Sequence, residues 1–553
     1  MSRRLWCVIL LVIIGRSASA EDATTNAVRS VNAAPPIHDI GSRRELFVDE
    51  TLVERLLGKA QLRLHHPVPR EVVLVHDALW EGNASAYHSI FKDGDRYRMY
   101  YRAWRLTHTA KQLIPSKESL CYAESDDGIH WRKPELGLHE FQGSKANNIV
   151  LSPEWAETHK VAIGGPAIFR DENPAAAPDA RYKTFITSRS PLGMQPFKSP
   201  DGLIWSPMSD GPTITAGAFD SQNLAFWDSA RGEYRAYWRI FTKGVTNEKT
   251  WKPEGVRASR TATSKDLLPW ETQTDLASVD SPEEQLYENG VAPYHRAPHL
   301  LIGFPVRYVD RGLRRQTVSA DDGSDKLGPD DIQRWSASLR ALPGFEHRAM
   351  RAKLSERYGS ALTEGLMMAS RDGVNFKRWN EGFLRPGIER AGTWNYGHNL
   401  IGWHMVETKS ELDGAPNELS IYATEGYSTS NGTSLRRHTL RLDGFVSAQA
   451  PMSGGELITK PIKFNGKHLT LNFATSAAGS LQVELQDEHG KPLPGYALDD
   501  CEELFGDTID RRVLWKTNPD LSLIAGQAVR VRFVLRDADL FSFQFHDGTL
   551  ASK

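Results

Sequence analysis

Three carboxylates stand at matching points of a recurring pattern. They are Glu81 in EGNAS (Glu81 to Ser85), Asp220 in FDSQN (Phe219 to Asn223) and Glu288 in YENG (Tyr287 to Gly290). Each precedes a run rich in aromatic and β-branched residues that reads as a strand. Carboxylates gathered into one cleft can hold different pKa values, so one donates a proton while another stays ionised. That is an acid/base set. The alternative for each is a solvated loop residue. Asn83, Asn223 and Asn289 share these segments and are candidate substrate-binding amides. NYGHN (Asn395 to Asn399) is a fourth polar segment of the kind, and its His398 is a candidate axial ligand for water, metal or substrate. A lone histidine is more often structural, so no metal site is expected. Trp80 and Trp394 flank two of these segments, where an indole could stack on a sugar ring.

Arginines end the strands that follow: Arg102 in MYYRAW, Arg239 in AYWRIF and Arg307 in FPVRYV. A guanidinium is a planar donor fork suited to carboxylate or sulfate groups. Either each arginine pairs with a neighbouring acid, as Arg102 could with Glu81, or together they line a funnel for an anionic or sulfated sugar.

What would bring these residues together is a repeat. S-x-D-(G/L)-x-x-(W/F) occurs as SDDGIHW (Ser125 to Trp131), SPDGLIW (Ser199 to Trp205), SKDLLPW (Ser264 to Trp270) and SRDGVNF (Ser370 to Phe376). Asp bonds backbone N–H groups and Gly takes a positive φ, so each copy reads as a tight turn. A strand–turn–strand hairpin precedes each copy, and a fifth hairpin covers Asn399 to Tyr427. The unit is a four-stranded antiparallel blade, and five of them predict a β-propeller. ELFVD (Glu45 to Asp49) is a candidate outer strand to close the ring, and Ala352 to Glu364 the best candidate helix. Antiparallel topology puts the starts of first strands and the ends of second strands on one rim. The S-x-D-G turns fall on the opposite rim, as structural punctuation. From Gly455 onward short alternating strands predict a C-terminal β-sandwich. The expected division is residues 1–20 signal peptide, 21–40 linker, 41–445 propeller and 446–553 sandwich.

Composition agrees with an all-β globular chain. Of 553 residues, 40% are hydrophobic and 25% charged. With 67 basic and 69 acidic residues the net charge is -2, which argues against nucleic acid as a partner. Arg3 and Arg4, an apolar run from Leu5 to Ile14 and Ala18-Ser19-Ala20 read as a secretory signal cut after Ala20. The run is too short to span a bilayer, so a secreted or periplasmic protein without membrane attachment is expected. Cys121 and Cys501 are then expected as buried free thiols, not a disulfide framework.

The arrangement resembles the five-bladed propeller glycoside hydrolase superfamily, families 32 and 43, with its invertases, levanases and arabinanases. ELFVDETLV, FDSQNLAFWD, RLDGFVSA and RFVLRDADLFSFQF are similar to a group of exported bacterial family-32-like proteins. The WMNDPNG-like and Glu-Cys motifs are missing, and FRDENP around Asp171 only echoes an Arg-Asp-Pro motif. The resemblance implies an exported glycoside hydrolase, needing no cofactor, that cleaves a plant or algal poly- or oligosaccharide. Glu288 is then the acid, Asp220 the base or nucleophile, and Glu81 tunes pKa or binds sugar. Two alternatives stand beside it. One is a non-catalytic glycan-binding propeller. The other is a sialidase-like enzyme on acidic sugars, which requires a tyrosine beside the arginines, such as Tyr87 or Tyr396.

Overall fold

The structure is a computed structural model and describes residues 36–109, 111–312, 329–429, 432–516 and 520–548. The expected signal peptide and most of the linker lie outside the described residues.

Five sheets, antiparallel except for the parallel outermost strand of the fourth, succeed one another along the chain. Blade one runs Ala86–Asp93, Arg96–Ala103, Ser119–Ser125 and Trp131–Arg132. Blade two has the short inner strands Val161–Ala162 and Phe169–Arg170, then Tyr182–Arg189, Leu192–Ser199 and Ser206–Pro207. Blade three runs Leu224–Asp228, Glu233–Thr246, Trp251–Ser264 and Thr274–Asp275. In blade four Ala292–Tyr294 is innermost. Ala297–Gly303 and Val306–Asp310 follow, then Ala361–Ser370 and Asn375–Leu384, with Ala277–Val279 outermost. Blade five runs Val406–Thr408, Glu418–Glu425 and Ser434–Arg441. Inner edges of neighbouring blades touch through Ser89–Trp403 and Pro166–Asn223 bridges. This is the expected five-bladed propeller.

The ring closes differently from the expectation. The outer strand of blade five is Val68–Val75, paired to Ser434–Arg441. ELFVD instead lies against the C-terminal sheet, where Glu45 pairs with Phe543. The reason is visible in its side chains. Leu46, Phe47 and Val48 are buried, and Arg371 of blade four donates to Glu45 and Asp49, both at 2.8 Å. Val53–Gly58 and Gln61–Leu64 also pair into that sheet, with Gly455–Thr459 and Val446–Ala450. Residues 38–64 therefore belong with the C-terminal region, and 41 is not where the propeller starts. Five C-terminal strands and the three from Arg44–Leu46, Val53–Gly58 and Gln61–Leu64 form one eight-stranded hydrogen-bonded sheet built on His468–Gln486 and Arg530–His546. Phe473, Leu481, Phe533 and Phe543 are among its fully buried residues.

The S-x-D-G turns are structural. In the first, Ser125 Oγ accepts from Gly128 N at 2.9 Å, and Asp127 Oδ1 accepts from the Ile129 and His130 N–H groups at 2.8 Å each. In the degenerate copy Leu267 occupies the glycine position at φ +72°. Helices overlap the expected stretch only in part. Pro329–Gln333, Ala337–Ala341, Phe345–Ala352 and Arg357–Ser360 form an insertion between the second and third strands of blade four. From Ala361 the chain is strand, because it pairs with Val306–Asp310. Cys121 and Cys501 are free and buried.

Candidate active site

Glu288 is the centre of the site. Its backbone is fixed by the last strand-two segment of blade four: Tyr287 N donates to Val306 O at 2.9 Å, and Val306 N to Glu288 O at 3.3 Å. Gly290 follows at φ +56°, a backbone state that allows the sharp turn into the inner strand. The Glu288 carboxyl is buried, and its Oε1 accepts no hydrogen bond among the described residues. Burial pushes its pKa up to about 8, although Arg102 and Arg239 pull the other way. Burial thus favours the protonated acid, against the nearby charges of Arg102 and Arg239.

Arg102 ends the second strand of blade one. Its guanidinium lies over the rings of Tyr87 at 4.5 Å and Trp104 at 4.6 Å, and donates to Tyr427 OH at 3.3 Å. Arg239 lies midway along the longer second strand of blade three and donates to Asp220, whose side chain is 63% exposed. Arg239 is therefore the common neighbour of both expected catalytic carboxylates. The structure brings Glu288, Asp220, Arg102 and Arg239 to one rim, as strand direction predicts.

Around them stands a wall of tyrosines. Tyr396 lies 5.8 Å from Tyr287, 6.1 Å from Tyr308, 5.5 Å from Tyr358 and 5.8 Å from Tyr427, ring to ring. Arg257 sits over Tyr287 at 4.6 Å, and Arg357 over Tyr396 at 5.5 Å. Burial acts to raise the Tyr287 pKa, but Arg257, Arg357 and Arg239, with a hydrogen bond from Tyr396, outweigh it and the net direction is down. Tyr396 moves up, since burial dominates there and the nearby Tyr287 adds to it. Tyr87 holds φ +59° where the inner strand of blade one slips register between Ala86 and Ser89. A non-glycine residue in that region is costly and is held by its surroundings.

Other expected site residues lie elsewhere. Glu81 is sealed inside blade one, where it accepts from Tyr101 OH at 2.5 Å and Lys133 Nζ at 2.6 Å, so it is a buried ion pair and not a funnel acid. Arg307 is consumed by Glu364 at 2.6 Å and Glu284 at 3.2 Å. Trp80 donates to Asn148 at 2.7 Å and packs on Phe141. Trp394 donates to Gly387 O and packs against the helical insertion. His398 accepts from Trp394 N at 3.1 Å and is driven down to about 3 by burial and nearby Arg390. It lines a separate 320 Å³ cavity with His438 and Glu425. The amides do local work. Asn83 clamps Leu106 through both backbone groups at 3.0 and 2.9 Å. Asn223 donates to Phe219 O and Ser221 O. Asn289 caps Val291 N at 3.2 Å. Asp171, of the FRDENP echo, is held by Lys183 and Tyr234.

Arg257, Arg357, Tyr358 and Tyr427 were not foreseen. Arg257 comes from the third strand of blade three, which with the second runs fourteen residues and overhangs the rim. Arg357 comes from the insertion. Neither position is marked by the repeat.

No family model and no curated protein matches the chain. Solved structures align with it only at low identity and with TM-scores below 0.5. A glycoside hydrolase superposes with a TM-score of 0.40 at 11% identity, covering 68% of this chain and 92% of that one. A structure from the GH130 family, described as mannoside phosphorylases and glycoside hydrolases targeting β-1,2 mannosidic linkages in Candida mannan, gives 0.35 at 14%, covering 68% and 94%. A glycosyl hydrolase from Bacteroides ovatus gives 0.34 at 16%, covering 72% and 93%.

Proposed function

We propose that the protein is an exported glycoside hydrolase that cleaves a sugar bearing a carboxylate or sulfate. The observation that carries this reading is Glu288, a buried carboxyl whose Oε1 accepts no hydrogen bond among the described residues and whose pKa burial raises to about 8 despite Arg102 and Arg239. A proton donor for a glycosidic oxygen needs such a raised pKa at neutral pH. Arg102, Arg239 and Arg257 supply more positive charge than Asp220 and Glu118 offset, which favours an anionic substrate. Tyr396, partly exposed, offers an aromatic ring to a sugar.

In this scheme the sugar's acidic group docks on the guanidiniums and Glu288 donates its proton to the departing oxygen. Asp220 activates water or attacks the anomeric carbon. The downward shift of the Tyr287 phenol favours a second reading, in which Tyr287 is the nucleophile, as in a sialidase-like enzyme. Release of reducing ends from a panel of neutral, uronate-bearing and sulfated oligosaccharides tests the substrate class. Cleavage confined to acidic members is expected, and cleavage of neutral ones alone overturns it. Asp220→Ala and Tyr287→Phe then separate the two readings by which abolishes turnover. Mass analysis of the protein from the culture medium or periplasm checks cleavage after Ala20.

A further inference from the structure

Beside the funnel, the insertion of blade four carries a second group of cations. Arg348 and Arg351, on the helix Phe345–Ala352, are each 1% exposed. Arg348 donates to Gly359 O at 2.9 Å, Trp394 O at 2.6 Å and Asn395 Oδ1 at 3.0 Å. Arg351 donates to Ser428 O at 3.1 Å and reaches Asn395 Oδ1 at 3.5 Å. Among the described residues no carboxylate pairs with either, and the Nε of each is buried without an acceptor. Two more basic groups adjoin them. The His108 ring lies 6.1 Å from that of His347, and His108 Nε2 is 3.1 Å from Ser428 Oγ. His347 is exposed and His108 half-buried, so the histidine side of the group reaches solvent while the arginines lie beneath it.

Burying a guanidinium without a counter-charge is expensive, and backbone carbonyls only partly offset it. The strain registers in the arginines: burial drives Arg348 down to about 10, and burial with Arg348 drives Arg351 down to about 9. His108 is pushed to about 4 by burial, Arg351 and His347. An oxyanion would relieve all of these at once. Tyr358 joins this cluster to the funnel, its ring 5.9 Å from His108 and 5.5 Å from Tyr396.

We propose that Arg351, His108 and His347 form a second anion subsite, which receives the acidic group of the sugar next to the one in the funnel. The substrate is then an oligosaccharide with acidic groups on adjacent units, not one acidic sugar in a neutral chain. The inference rests on the funnel being the site of an acidic sugar.

Crystals soaked in selenate, a heavier copy of sulfate, test both sites by anomalous scattering. Density is expected within hydrogen-bond reach of Arg351 and the two histidines, and again at Arg102 and Arg239. Selenate in the funnel alone overturns the second subsite and leaves the funnel reading standing. Selenate at the second subsite alone overturns the funnel reading, and none at either place overturns both. In solution, sodium sulfate is expected to raise the unfolding temperature more than chloride at equal ionic strength. His347→Ala, at an exposed position, and Arg351→Met should each remove half or more of that sulfate-specific rise. An unchanged rise in His347→Ala and in a folded Arg351→Met contradicts the subsite.

Discussion

At Glu288 the carboxyl's protonation is set by two opposing forces, burial and the Arg102 and Arg239 charges, and burial prevails. Its folded pKa, about 8, lies above the ordinary 4.5. Its contribution to stability is therefore complete below about pH 4.5 and is lost as pH rises through 8. Wild type should lose stability relative to Glu288→Gln across that window, at about 1.4 kcal/mol per pH unit, in denaturant titrations at several pH values. Glu81 is the contrasting case. Glu81→Gln leaves Lys133 only the exposed Asp77 carboxylate, at 3.4 Å, and should cost about 1–3 kcal/mol of stability. Turnover per folded molecule should stay within about threefold, since Glu81 touches Tyr101 and Lys133, not the funnel. Chemical type alone could not distinguish these two glutamates. Both precede an inner strand, and only packing shows that one faces a lysine within its own blade.

The elements explain why position in the repeat was informative for some residues and misleading for others. Strand two delivers Arg102 near its end in blade one and Arg239 midway along the longer strand of blade three. Arg307 lies in the corresponding part of blade four, but Glu284 and Glu364 stand beside it and capture it. Arg257 and Arg357 escaped notice because an overlong strand and an insertion brought them in, and neither obeys the repeat. The S-x-D-G turns were legible because their chemistry is local. Asp372 Oδ1 accepts from the Val374 and Asn375 N–H groups at 2.8 Å each. Asp372→Ala should therefore destabilise the fold by about 1.5–3 kcal/mol without changing KM, as read from thermal unfolding and steady-state kinetics.

In the whole molecule, the two ends of the chain are woven together. Val68–Val75 completes blade five, while the preceding strands pair into the C-terminal sheet. A protein truncated after residue 445 would expose the unpaired edges of Val53–Gly58 and Gln61–Leu64. It should be insoluble or aggregate, by size-exclusion chromatography, whereas a freely separable domain would leave a monodisperse propeller. This interleaving was not readable from sequence, because short alternating strands state that they are strands and not which edge they join. The propeller was readable, since its hairpins and turns recur in fixed order.

In the proposed hydrolase Glu288 gives up the proton beside Arg102 and Arg239. That transfer is read from kcat/KM against pH, for wild type and Glu288→Gln, on the acidic oligosaccharide that the panel identifies. Wild-type activity should fall as pH rises with an apparent pKa near 8. The variant should be slower by about 10²- to 10⁴-fold and lack that limb. A variant that keeps both the rate and the alkaline limb would show that the proton comes from another group.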